Sequence, residues 1–253
     1  MGLLKYDFKY GIDDPERTLE HKDIILRKKF LNKLYLEWYG HFMDEARSLP
    51  SGTMIELGSG GGFLKDVMPD VITSDILPLP GNDMTFSALS MPFENESLSA
   101  IFMIDTFHHI PDSEAFLREA SRTLMPGGII MMIEPAASAW GKCIYRNLHH
   151  EPFEPTAGWT IPPSGPMSGA NGALPWIVFE RDRLKFNTLF PEFEIKSIDY
   201  HTPLRYLISG GVSFRCPVPS FLFGAVSSLE KAIHGNRFSM FMTVTVRKKQ
   251  LAL

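Results

Sequence analysis

In the stretch MIELGSGGGF (residues 54–63), Glu56 stands in an apolar run and is followed at once by Gly58, Gly60, Gly61 and Gly62. A glycine loop between a strand and a helix lets a ligand touch the backbone and lie near the helix N-terminus. Two ligand classes are common in such loops, dinucleotides and S-adenosylmethionine. The dinucleotide fingerprint G-x-G-x-x-G is not completed, because Phe63 stands where its third glycine belongs. The order here is E-x-G-x-G-x-G, through Glu56, Gly58, Ser59, Gly60 and Gly62. An acid at the strand end suits a ligand with a positive amino acid end better than a pyrophosphate. Two other stretches carry titratable groups at chemical spacing. One is Asp105-x-x-His108-His109, three candidate metal ligands on one turn. The other is NLHHEPFEP (147–155), with His149, His150, Glu151 and Glu154.

Further along the chain, SALSMPFENESLSAIF (87–102), IDTFHHIPD (104–112) and LMPGGIIMMIEP (124–135) follow the glycine loop in order. Together with Glu56–Gly62 they resemble the class I S-adenosylmethionine-dependent methyltransferases, in their small-molecule branch. The resemblance is motif by motif over residues 53–134 and general in the closing strands. It implies S-adenosylmethionine as cofactor, with Glu56 and the backbone near Asp105 at its amino acid end. Asp75 matches the acid that accepts both ribose hydroxyls, and Ile76 is placed to pack on the adenine. The family's usual adenine-binding Asp is Ser87 here, so the adenine contact falls to Ser87 or the backbone of Ala88. Leu98-Ser99 and Met125 also depart from the pattern. The spacing of Asp105, His108 and His109 resembles a metal constellation in some ubiquinone-pathway relatives, where glutamate replaces both Asp105 and His108. The site is nonetheless read here without a metal.

Methyl transfer to a hydroxyl needs a base to take its proton, and His or Glu suits that role near neutral pH. The catalytic candidates are His109, His149 and His150. For His149 and His150 the plain alternative is a polar, solvated loop; His109 reads as a pocket-facing residue or a base. The resemblance thus implies methyl transfer to a small molecule, with oxygen the favoured acceptor atom. The N-methyltransferase loop Asn/Asp-Pro-Pro-Tyr is replaced by Ile104-Asp105-Thr106-Phe107. The alternatives are a nicotinamide-dependent oxidoreductase and a non-catalytic S-adenosylmethionine-binding protein.

These residues need a scaffold. Residues 1–20 are polar and turn-rich, and 21–48 read as one helix with Leu26, Phe30, Leu34 and Trp38 on a common face. Strands are expected at 53–57, 71–75, 84–86, 99–105 and 129–134, with helices at 63–68 and 112–124. Strands apolar on both faces that alternate with helices mean a parallel sheet covered on both sides. Residues 135–176 hold Trp140, Trp159 and Trp176 and are too long for an ordinary connection, so a lid or substrate insert is expected. With Tyr145, Phe153 and Pro162-Pro163, the tryptophans build either an aromatic wall or a small satellite core. A helix at 181–190 and strands at 193–201 and 239–248 close the chain around a second insert, 203–235. Its apolar face, Leu222, Ala225, Val226, Leu229 and Ile233, reads as a substrate-pocket wall or a dimer contact.

The expected fold is an α/β, three-layer α/β/α Rossmann-like sandwich. Its seven-stranded sheet is mostly parallel and ends in an antiparallel C-terminal hairpin. Residues 1–253 form a single domain, divided as a 1–50 helical cap, a 51–134 cofactor-binding core, the 135–176 insert and the 177–253 strands. A formal net charge of -4 argues against nucleic acid as partner. Only Cys143 and Cys216 are present, which excludes a disulfide framework. The start lacks a secretory h-region, and no apolar run is long enough to span a bilayer. A cytoplasmic protein is expected, with a small and possibly amphiphilic acceptor and a possible homodimer.

Overall fold

The computed structural model describes residues 5–149, 151–162, 164–233 and 235–250. Its centre is a seven-stranded sheet of β1 (Thr53–Leu57), β2 (Ile72–Asp75), β3 (Met84–Thr85), β4 (Leu98–Ile104), β5 (Leu124–Pro135), β6 (Phe193–His201) and β7 (Phe241–Lys248). The order is β3-β2-β1-β4-β5-β7-β6. The first five strands are parallel, and β7 runs antiparallel between β5 and β6. This is the expected Rossmann-like sandwich with its antiparallel C-terminal pair. All residues of β4 are buried, as a central strand covered on both faces requires.

The order of β1 and β4 side by side, with β2 and β3 on one side and β5 on the other, places a switch point at the carboxyl ends of β1 and β4. Open α/β sheets bind ligands there. Helices α1 (Pro15–Arg27) and α2 (Lys29–Ala46) lie over that end. The single helix expected at 21–48 is in fact two. The chain breaks at Lys28, whose buried Nζ donates to the carbonyls of Gly211 and Phe214. The break turns Leu26 outward, to 45% exposure, while Phe30, Leu34 and Trp38 stay in the core. The arm expected to run to residue 20 gives way to α1 at Pro15, where Pro at the first turn suits a helix start.

Between β1 and β2 lies α3 (Leu64–Val67), and α4 (Ser113–Thr123) is capped by Asp112, which accepts from Ala115 N. The strand expected at 129–134 reaches back to Leu124 across a register shift opposite Leu98–Ala100. The 135–176 insert carries an unforeseen helix, α5 (Ala139–Leu148), capped by Ser138. It ends in α6 (Leu174–Trp176), which continues through a π-turn at Ile177–Arg181 to α7 (Arg183–Leu189). The second insert holds α8 (Arg205–Ser209) and α9 (Phe223–Ile233).

Two expectations about the inserts are corrected by packing. None of the three tryptophans lines the central cavity. Trp140 stacks on Phe238, Trp159 donates to Asp182, and Trp176 lies under Lys142. Trp159 belongs to the hydrophobic core, Trp140 and Trp176 pack against it, and Pro163 lies outside the described residues. The apolar face of α9 is not a pocket wall either. Leu222, Ala225 and Leu229 are exposed, because the opposite side of the helix buries Glu230 against Arg205.

Candidate active site

A cavity of about 1040 Å³ opens at the carboxyl ends of β1, β2 and β4. It is at the upper end of the range for small-molecule sites, about 300–1,000 Å³. The glycine loop forms one wall. Gly58 has φ +65° and Gly60 φ +31°, which glycine adopts without strain. A Cβ on Gly58 would sit 2.4 Å from Thr106 Oγ1, and one on Gly62 2.5 Å from Tyr39 Oη. The loop is therefore packed closely against α2 and the turn after β4, and Tyr39 and Thr106 line the cavity beside it. Ser59 is buried, and its N–H donates to Ser74 O.

Two acids flank this loop. Glu56 is 3% exposed, and its Oε2 has no hydrogen-bond partner. Burial pushes its carboxyl up to about 7, against the pull of the Ser59 hydroxyl and of Lys22. A buried, unpartnered carboxylate oxygen beside a cavity is costly unless something cationic meets it. Asp75 accepts Gly60 N–H at 3.0 Å through Oδ2 and Leu77 N–H at 2.9 Å through Oδ1. Each oxygen keeps a second lone pair, and burial raises this carboxyl too. Ile76, Ser87 and Ala88 follow along the same wall. Ile76 is 55% exposed, which leaves its side chain open to a ligand face. Ser87 Oγ accepts from Leu89 N.

The other end of the cavity is a chain of charges that sequence reasoning saw only in part. Asp105 has φ +49° at the end of β4, and burial pushes its carboxyl up to about 8. His108 is 2% exposed. Its Nδ1 lies 2.7 Å from Glu134 Oε2 and its Nε2 3.2 Å from Glu151 Oε2. Glu134 Oε1 accepts the backbone N–H groups of Thr106 and Phe107. Although burial opposes its charge, the Glu134 and Glu151 carboxylates hold the His108 imidazolium well above the ordinary range, and His108 in turn pulls Glu151 well below its own against burial. Glu151 thereby ties the 135–176 insert to the sheet. Glu134 is an apolar-looking strand end in the sequence. Its role needed the fold, which sets β5 beside β4.

His109 is the neutral member. Its Nδ1 lies 2.8 Å from Gly169 O, so that nitrogen carries the proton. Nε2 then presents a lone pair at 3.7 Å from Glu151 Oε1. Burial and the charged His108 push His109 down to about 4. His149 Nδ1 is 3.6 Å from Glu151 Oε2 on the cavity wall. His150 lies outside the described residues. Glu154 is exposed and caps Thr156, so it does not join the site. Asp105, His108 and Glu134, and likewise His108, His109 and Glu151, bring ligand-type atoms within 4.8 Å of one another. Both sets share His108, whose nitrogens are already taken by carboxylates.

Comparison with known proteins agrees with this geometry. Residues 66–132 match the family model of the methyltransferase domain. A ubiquinone biosynthesis O-methyltransferase of Paramagnetospirillum magneticum is 22% identical over 153 residues, 52% of this chain. The match spans 61% of that relative's length. A possible histamine N-methyltransferase of Thermotoga maritima superposes with a TM-score of 0.56 at 16% identity, over 93% of this chain and 100% of its own. Geranyl diphosphate C-methyltransferase of Streptomyces coelicolor gives 0.53 at 13% identity, over 97% and 91%. The two structures share the fold. Residues 66–132 thus carry the methyltransferase-domain match, and the chain around them has the fold of these two methyltransferase structures.

Proposed function

We propose that this protein transfers a methyl group from S-adenosylmethionine to an acidic hydroxyl of a small molecule with an apolar body. We read residues 1–253 as one such domain, with α1, α2 and the 135–176 insert closing over the acceptor. The observation that carries the reading is Glu56 Oε2, buried and without a partner beside the glycine loop. It suits the ammonium of the cofactor's amino acid end. Asp75 then takes the ribose hydroxyls on its spare lone pairs, and Ser87 or the backbone of Ala88 takes the adenine.

When bound, S-adenosylmethionine supplies an electrophilic methyl group on a sulfonium. The relatives, by their names, methylate oxygen, nitrogen and carbon, so the fold does not choose the acceptor atom. The choice of oxygen rests on His109. Its tautomer is fixed by Gly169, and its Nε2 is open to take a proton from a hydroxyl as the new O–C bond forms. Glu151 Oε1 at 3.7 Å stabilises the imidazolium that results. A base held at about 4 suits hydroxyl groups that are themselves acidic, such as phenols or enols, over alkanols. Ile144, Tyr145, Ile161, Leu207 and Phe214 face the remaining space and favour an apolar acceptor body.

The test is calorimetric titration with S-adenosylmethionine, S-adenosylhomocysteine and NADH, followed by a screen of phenols, enols and alkanols. Binding of the adenosyl ligands alone, weakened by Asp75→Ala, with methylation of phenols and loss of turnover in His109→Gln, is expected. Binding of NADH alone overturns the reading. Tight adenosyl binding with no acceptor methylated would make the protein a binder instead of an enzyme.

A further inference from the structure

The face of α9 that turns outward is the wrong one for a helix surrounded only by water. Its one acid, Glu230, is 2% exposed, while Leu229 beside it is 53% exposed. Phe221 is 79% exposed and Leu222 38%. Ala225 and Ala232 are also exposed, so Leu222, Ala225, Leu229 and Ala232 make one apolar stripe at helical spacing. The orientation is fixed from below. Arg205 binds Glu230 through Nε and Glu37 through both Nη atoms, and Glu230 also accepts Leu204 N–H.

That same network takes up Glu37 and Glu230. In the described segment 214–233 the other charged residues, Arg215 and Lys231, are basic. Lys33 is exposed, and its Nζ reaches Ser220 O at 3.2 Å, just ahead of Phe221. Lys29, Arg215 and Lys231 are exposed as well. The stripe is also continuous with the cavity rim. Phe214, Pro217 and Val218 line the cavity, and Pro217 and Pro219 are exposed on the way to Phe221. Apolar side chains outward with flanking cations and few acids are what an anionic bilayer surface accepts.

We propose that the Pro217–Ala232 face docks on an anionic lipid surface, with Phe221, Leu222 and Leu229 entering the headgroup boundary and Lys29, Lys33 and Arg215 meeting the lipid charges. The docked orientation brings the cavity rim at 214–218 to the interface. The proposal does not depend on which reaction the cavity performs.

The test is co-sedimentation of the full chain with vesicles of phosphatidylcholine alone and of phosphatidylcholine mixed with phosphatidylglycerol, at low and high salt. Binding to the mixed vesicles, weakened by salt, is expected. Phe221→Ser with Leu229→Ser should reduce it by about tenfold or more for each large side chain removed. Lys33→Glu should reduce binding to the mixed vesicles alone. Circular dichroism and S-adenosylhomocysteine titration check that the variants stay folded. Failure to bind either vesicle, or binding undiminished in the double serine variant, overturns the proposal. A dimer seen by sedimentation velocity, lost in the double variant and without vesicle binding, overturns it in favour of a second copy of this chain.

Discussion

Glu56→Gln should make the unliganded protein more stable above neutral pH and its grip on the cofactor weaker. Glu56 is 3% exposed with one oxygen unpartnered, and burial pushes it up to about 7 from an ordinary 4.5. A carboxyl raised in the folded state favours the protonated form there. Its contribution to stability is intact below about pH 4.5 and is lost as pH rises through about 7. The gap corresponds to about 3 kcal/mol at about 1.36 kcal/mol per pH unit. Glutamine keeps the shape and cannot ionise. Urea denaturation at about pH 8 should show the variant more stable by up to about 3 kcal/mol, with the difference fading toward about pH 4. Titration with S-adenosylhomocysteine should show the opposite, an affinity about 10–100-fold lower for want of one charged hydrogen bond. In the wild type at about pH 7, binding should release about half a proton, as the ligand ammonium turns Glu56 into its anion. The variant should release none from this site. A glutamine variant with no stability gain at alkaline pH and unchanged affinity would refute the reasoning.

Three further outcomes follow from the site. His108→Ala leaves Glu134 and Glu151 facing each other without their cation and should cost about 3–5 kcal/mol in denaturant unfolding. Because His108 is raised by its partners, its contribution is full below about 6.5 and disappears as pH rises through its folded value, so the gap to the variant should narrow in alkali. For His109, active as the free base and pushed down to about 4, kcat/KM should be level near neutrality and fall on the acid side near that value. His109→Gln should remove the acid limb and lower kcat by about 10²–10⁴-fold. Gly58→Ala puts a Cβ 2.4 Å from Thr106 Oγ1 at φ +65°, and a thermal melt should show about 1–3 kcal/mol lost. Adding Thr106→Ala should recover the steric part and leave the backbone part.

The glycine-loop half of the candidate site was legible because it is local. Glu56 through Gly62 are consecutive, and Asp75 ends the next strand, so spacing alone brings them together. The acceptor half was not. Glu134 meets His108 only because β5 lies beside β4, and Glu151 reaches His108 and His109 from an insert with no periodic signal. Helix α5 lies in a segment whose length and Pro, Gly and Ser content read as an insert, and it carries Gly141 within it. There a Cβ would fall 2.2 Å from Ala136 O, so the close contact demands glycine inside a helix. The division at Lys28 was hidden by an apolar pattern that runs through it, and the cause is a tertiary one, two carbonyls from the 211–214 turn. For α9 the helical period is as expected, and of the two readings of its apolar face the pocket wall is the one the packing excludes. Hydrophobicity alone points Leu229 inward, and only the Arg205–Glu230 pair tells the helix to turn over.

The place of β7 has a consequence for the order of assembly. It is the last strand in sequence, yet it sits between β5 and β6 and pairs with both along its length. Until residues 241–248 have left the ribosome, β5 carries an open edge and β6 has no neighbour in the sheet. A nascent chain can build β1 to β5 by short parallel crossovers, but must then hold the open edge of a largely apolar β5 while both inserts are made. Lys248 finishes the closure by donating to the carbonyls of Ser121 and Leu124, at the opposite end of the sheet from the cavity. The step that seals the core is therefore among the last the chain can take, and an interruption of synthesis just before it would leave the aggregation-prone edge of β5 exposed.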